Sequence, residues 1–276
     1  MAHGHALVMN LVQVMEILRN GVRRADVFMG IGLNAAEANP PISHMLSPDN
    51  LHHIRLVKSD LTPQEKSHVA SEFGKWIRAN GLRELVETLS LFLDKLYVSI
   101  FVMHRGADKS GKKLERPDRL ERLGVIDKID AMSNVLRVSA EDKYLLHSLN
   151  RMRNCYAHRL GVVGDRDLDG NADVMTVRWN AFELQVQEPD GNIIPEAELY
   201  GHLLKKGGAI QLKVVERTRS FNRGAELVLE KRDLKEIGLS TLIIGQRIFH
   251  ATVEQARELG VLRGPVDENL NGPKAI

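Results

Sequence analysis

Cysteine occurs once in this chain, at Cys155, which rules out an intrachain disulfide and fits a reducing compartment such as the cytoplasm. A long hydrophobic run is missing too. The longest uncharged apolar stretch, Leu96 to Met103, falls far short of the ~20 residues that a membrane span needs. No cationic leader stands before an apolar segment at the N-terminus, where Asn10, Gln13 and Glu16 interrupt the apolar positions. Internal repeats and low-complexity tracts are absent. So is a strong excess of charge of either sign: the formal net charge is +2, so any surface that binds phosphate must be local. From these absences we expect a soluble, cytoplasmic protein that does not enter a membrane.

What is present is an ordinary globular composition, 43% apolar and 27% charged over 276 residues, enough for one large domain or two small ones. A chain of this size buries roughly three-quarters of the surface its unfolded form exposes, so it needs no covalent staple.

The first 160 or so residues read as successive helices. Leu7, Leu11, Val14, Met15 and Leu18 form one apolar stripe at i, i+3, i+4 spacing, with Gly21 as its stop. Phe28 to Ser47, carrying Gly30, Gly32, Pro40 and Pro41, reads as an irregular connection, after which Ser47-Pro48 opens a short helix through Val57. Thr62-Pro63-Gln64-Glu65 is a capping box that launches a helix ending near Asn80-Gly81. Leu85, Leu89, Phe92, Leu93, Leu96, Ile100 and Met103 then mark a further helix over Leu82 to Arg105. Another is expected from Pro117 to Leu136, and Ser139 caps a last one in this run, which Gly161 ends.

Beyond Gly161 the pattern turns to β-type alternation, in Asp173 to Arg178 and Phe182 to Glu188, with a turn signal at Pro189-Asp190-Gly191-Asn192. Glu196 to Lys206 reads as a short helix. Ile210 to Arg217 and Ala225 to Lys231 read as a strand pair around Ser220 to Gly224, and helix returns over Leu234 to Leu259. The expected fold class is therefore mainly α: a helical bundle from residues 1–165 plus 233–260, with a small antiparallel β insertion at 166–232 before the last helix, and a flexible tail at 261–276.

One segment concentrates chemistry. Arg153-Asn154-Cys155-Tyr156-Ala157-His158 places a fixed cation, a neutral donor and acceptor, and a side chain that titrates near neutrality within six residues of a helix end. Metal-free phosphodiester cleavage draws on these three groups. The spacing by itself has little weight, since an Arg five residues before some His arises by chance about once in a chain with this content. The adjacent Asn, the helical surroundings and the position before a stop add to it. On a regular helix Asn154 and His158 are neighbours at i, i+4, whereas Arg153 and His158 lie about 140° apart. One chain with an unbroken helix would not aim both at one phosphate.

With those residues and that placement, the segment resembles the R-x4-6-H signature of the HEPN superfamily (higher eukaryotes and prokaryotes nucleotide-binding helical domains), over the helical part of the chain only. The resemblance implies a HEPN-like bundle acting as a metal-independent endoribonuclease, with no cofactor, on RNA. It also implies a homodimer in which motif helices of both subunits line one cleft, a setting in toxin–antitoxin, defence or RNA-processing systems, and an antitoxin or other protein partner. On that reading His158 moves the proton, Arg153 stabilises charge on the phosphorane, and Asn154 orients one of them. The competing expectation is a non-catalytic HEPN-like dimerisation or nucleotide-binding module that contacts a partner through the β insertion.

Other candidates carry blander readings. Asp165, Asp167, Asp169 and Asp173, with Gly170, take positions 1, 3, 5, 9 and 6 of a calcium-type loop, but Thr176 stands at position 12 where a bidentate Glu belongs; a solvated acidic turn is the simpler reading. Cys155 and His158 are i, i+3, yet a lone helical Cys is usually a packing residue. His44, His52 and His53 lack a second ligand cluster. Two basic runs, Lys109, Lys112, Lys113, Arg116 and Arg119, and Lys213, Arg217, Arg219 and Arg223 with Phe221 at a hairpin tip, read most simply as solvated surface; if the chain cuts RNA, they are the natural surfaces for its backbone and a stacked base.

Overall fold

The computed structural model describes residues 10–38, 45–46, 54–55, 58, 60–107, 114–170, 172–199, 201, 203 and 207–261. Helix α1 spans Leu11–Glu37, capped by Asn10, whose side chain accepts from the Gln13 N–H. It runs straight through Gly21, Gly30 and Gly32, where the sequence suggested a stop and then irregular chain. The reason lies in packing. A Cβ on Gly21 would sit 2.1 Å from Thr88 Cγ2 and one on Gly32 2.4 Å from Ile77 Cδ1, so both glycines let α1 cross a second helix closely.

After a short antiparallel pair, β1 (Met45–Leu46) with β2 (Ile54–Arg55), that second helix, α2, spans Pro63–Gly106. The helix expected from Ser47 to Val57 is thus contradicted at Ile54–Arg55, and the rest of it lies outside the described residues. The Thr62 capping box is present, with Glu65 N–H to Thr62 Oγ1 at 3.2 Å and Thr62 N–H to Glu65 Oε2 at 2.9 Å. The break expected at Gly81 does not occur: α2 is one helix of 44 residues, about 66 Å long at 1.5 Å per residue. Gly81 would bring a Cβ 2.1 Å from Met29 Sδ, so it serves the same crossing as Gly21 and Gly32. The cost of a mid-helix glycine, about 1 kcal/mol, is small beside the apolar face buried on either side of it.

A single helix from Pro117 to Leu136 is also not observed. It is split into α3 (Pro117–Leu120) and α4 (Val125–Ser133), the second opening directly after Gly124. Lys128 of α4 is almost wholly buried and reaches Asp94 of α2 at 2.7 Å and Ser90 Oγ at 2.8 Å, which ties the small helix to the long one. Helix α5 (Ala140–Arg159) begins at the expected cap, the Ser139 hydroxyl accepting from Asp142 N–H at 3.0 Å.

The β segment holds β3 (Val174–Gln187), β4 (Ile193–Pro195), the single-turn α6 (Glu196–Leu199) and β5 (Ala209–Asn222), in antiparallel order β4-β3-β5. The two short strands expected around Asp173 and Phe182 are one strand, paired with β5 without interruption from Val174↔Asn222 to Gln187↔Ala209. Ala225 to Lys231 is not a strand partner of β5. It lies instead along the chain leaving α5, through a bridge at Val162↔Glu226 and a Leu227 N–H to Gly161 O bond of 2.7 Å. Helix α7 (Lys231–Glu258) closes the bundle beside α1, with Gly245 admitting Leu18.

The protein is thus mainly helical with a small three-stranded antiparallel sheet. Met15 and Leu18 of α1, Leu89 and Phe92 of α2, Met152 of α5 and Ile248 of α7 share one core with Met175, Val177 and Trp179 of β3. The hairpin therefore enters the same apolar interior as the helices, and its root is fixed against α5. Among the described residues no helix is long and apolar enough to cross a membrane.

Candidate functional site

The end of α5 is set by two residues in left-handed conformation, Leu160 (φ 52°) and Gly161 (φ 83°), with Gly161 N–H bonded to Cys155 O at 3.2 Å. A Cβ on Gly161 would press to 2.9 Å from the Tyr156 ring, so only glycine fits that position. Tyr156, buried, donates its hydroxyl to Leu227 O, and burial pushes its phenol well up. This fixes the last turn of α5 and the direction in which its side chains leave.

Arg151, Asn154 and His158, at i, i+3 and i+7, lie on one face of that turn. Together with Arg159, Asp165, Arg166 and Asp167 they line an open groove of about 660 Å³. Two of the three residues that the sequence singled out, Asn154 and His158, are brought together here. His158 is exposed and Asn154 half-buried. Arg153 does not line the groove: it is turned to the neighbouring face, where it donates to Asn150 Oδ1 at 3.0 Å. The helix stays regular to Arg159, so the 140° between Arg153 and His158 is retained.

The guanidinium that shares the His158 face is Arg151. Six residues separate the two, which also satisfies R-x4-6-H, and the i, i+7 relation could have identified it from the sequence. Arg151 is occupied, however: it meets Asp169 at 2.7 Å and donates to Thr176 O at 3.3 Å and to Asp167 O. Arg159 is occupied as well, gripping Asp167 through two nitrogens while Gly164 N–H donates to the same carboxylate at 2.9 Å. Arg166, which the sequence reading did not pick out, is exposed and is the groove arginine without a carboxylate partner among the described residues.

These contacts revise the acidic loop. Asp167 is held by Arg159 and Asp169 by Arg151, while Asp165 and Asp173 both meet Arg223, at 2.8 and 2.6 Å. Burial would raise the Asp169 carboxyl, but the Thr176 and Arg151 hydrogen bonds outweigh it and hold it below its ordinary value. Every carboxylate of the calcium-type spacing thus meets a guanidinium, and Thr176, where the loop's final ligand would stand, is the third residue of β3. No group of three or more His, Cys, Asp or Glu able to hold a metal occurs among the described residues. In this structure the loop is an arginine-clamped brace.

The basic runs divide similarly. Lys109, Lys112 and Lys113 lie outside the described residues, as do His44, His52 and His53. Arg116 pairs with Asp118 at 2.9 Å and Arg119 with Glu115 at 3.3 Å. In the hairpin, Arg217 meets Glu236 at 2.8 Å and Arg219 meets Asp233 at 3.0 Å, both carboxylates buried on α7. Phe221 is not at a tip. It sits within β5 opposite Met175 and packs partly buried against the core, so it cannot offer a free face to a base.

Cys155 lies under the Arg159–Asp167 pair with no exposed surface, and burial is the main reason its thiol is pushed up to about 11 from an ordinary 9.0. That excludes a nucleophilic role near neutrality. In the native protein Cys155 is expected to resist alkylation at pH 8 and to label fully once guanidinium unfolds the chain. The neutral thiol is the form that the fold prefers, so its contribution to stability is whole below pH 9 and is lost as pH rises through about 11.

Comparison with protein-family models, with curated proteins and with solved structures finds no match to this chain.

Proposed function

We propose that this protein is a metal-independent endoribonuclease of HEPN type whose chemistry takes place in the groove at the end of α5. The observation that supports this reading best is the exposed His158 beside Asn154 in an open groove rimmed by arginines. The 2′-oxygen of a ribose attacks the adjacent phosphorus and the bond to the 5′-oxygen breaks, giving a 2′,3′-cyclic phosphate and a 5′-hydroxyl. The imidazole of His158 takes the 2′-hydroxyl proton and returns one to the departing 5′-oxygen. Asn154, one turn away on the same face, orients the imidazole or the phosphate. Arg166 supplies the guanidinium for the phosphorane oxygens, because Arg151 and Arg159 already have carboxylates and Arg153 faces elsewhere. DNA lacks the 2′-hydroxyl and is inert.

The test is incubation with single-stranded RNA in EDTA, with the all-deoxy strand as control. Cleavage of the RNA alone, ending in cyclic phosphate, is the expected result. Arg166→Ala should lower the rate by roughly 100-fold, the usual worth of one charge-stabilising donor, while Arg153→Ala should leave it within a few-fold. Absence of cutting on every RNA tried, with a partner protein captured instead, would favour the non-catalytic module.

A further inference from the structure

Strand β5 is paired on one side by β3, and among the described residues nothing pairs its other side. That leaves the backbone donors and acceptors of one edge of a 14-residue strand unused. Natural edges of this length are guarded by charge, proline or a bulge. The half from Ala209 to Val215 has a single charge, Lys213, no proline, and an unbroken register with β3. Ile210, Leu212 and Val214 fall on one face of it and are 72%, 66% and 43% exposed.

We propose that two copies of this chain join along β5, antiparallel, with Leu212 opposite Leu212 of the second copy, to make one continuous six-stranded sheet. The sequence of the strand selects the register, and its self-complementarity in that one register is what points to a second copy. A two-fold axis perpendicular to the sheet keeps the faces aligned, so even-numbered residues oppose even-numbered ones. Centring the pair on Lys213 sets lysine against lysine, centring on Val215 sets Lys213 against Arg217, and centring on Glu216 sets glutamate against glutamate; like charges directly opposite are destabilising. Centring on Val214 puts Leu212 against Glu216, and centring on Gln211 puts Val214 against Gly208. Centring on Leu212 alone sets Ile210 against Val214, Leu212 against itself and Gln211 against Lys213. Every apolar side chain of the exposed face then has an apolar neighbour. Leu212 lies ten residues, about 33 Å along the strand, from Asn222 at the end near the groove, so the junction leaves both grooves open and does not depend on what they do.

Light scattering at tens of micromolar chain should give the mass of two copies, and Leu212→Arg should give one copy with an unchanged circular-dichroism spectrum, since that side chain faces solvent, and with a melting midpoint that no longer rises with chain concentration. A wild-type monomer, or a dimer that survives Leu212→Arg, overturns the proposal. A second variant fixes the register. Directly opposed residues on antiparallel strands have Cα atoms about 4.5 to 5.5 Å apart, within disulfide range. Under mild oxidation Leu212→Cys should therefore form a covalent dimer, whereas Glu216→Cys, which would face Gly208 of the other copy, should stay single. Equal cross-linking of the two overturns the register; Cys155, being buried, does not interfere.

Discussion

Replacing His158 by alanine is expected to lower RNA cleavage by about 10³-fold, within the range that a positioned proton-transfer group supplies. The effect should be purely chemical. His158 is exposed on the last turn of α5, and among the described residues its side chain makes no hydrogen bond or ion pair, so its removal costs the fold at most about 0.5 kcal/mol. Wild type and variant should therefore melt together while their rates part. Among the described residues, the other acids of the groove and the nearby thiol are already engaged or buried. Asp167 is bound by Arg159 and by Gly164 N–H, Asp165 is held by Arg223, and the Cys155 thiol is buried with its ionisation pushed up to about 11. Added imidazole should restore part of the lost rate, which a variant damaged in its folding would not show. Cutting that continues at the wild-type rate in His158→Ala would remove the nuclease reading from this groove.

Asp167→Ala is expected to give the largest loss of stability among groove variants, about 3 kcal/mol, with a smaller loss for Asp167→Asn. Asp167 is almost wholly buried and receives Arg159 and Gly164 N–H, while its own carbonyl receives Arg151. Truncation leaves a half-buried guanidinium facing the Cys155 side without its counter-charge, and it releases the turn that leads into β3. Urea unfolding followed by circular dichroism would read the change as a lower midpoint at constant slope. A shift under about 1 kcal/mol would mean that solvent already screens the pair and that the loop is held by its backbone alone. Asn in place of Asp keeps an acceptor for Gly164 N–H, which is why the milder variant separates the hydrogen bond from the charge.

Elements with a local chemical signature could be read from the sequence: the Thr62–Glu65 box, the Ser139 cap, the Gly161 stop, and the turn at Pro189 to Asn192. Glycine misled where its purpose was distant. Gly21 and Gly81 look like helix ends from their neighbours, but each gives way to a side chain of another helix, Thr88 and Met29, that no local pattern announces. The hairpin was misjudged for the same reason. Ala225 to Lys231 has strand composition, yet its partner is the short segment after α5, which buries Leu227 and Leu229 without building a ladder. At the site, helix geometry already separated Arg153 from His158. What the one-dimensional pattern left open was which cations would be spent on folding. Arg151, Arg159, Arg217, Arg219 and Arg223 are all committed to carboxylates from elsewhere in the chain, and only three-dimensional pairing distinguishes them from Arg166.

The adjacency of α1 and α7 has a bearing on how the protein comes into being. Translation delivers α1 and α2 first, but the side of α1 where Leu18 seats against Gly245 waits until α7, which starts at Lys231, well over a hundred residues after α2 ends at Gly106, has left the ribosome. During that interval the nascent chain carries an unsealed seam. The contact between α1 and α7 is thus among the most widely separated in sequence, the kind whose closure is entropically slow.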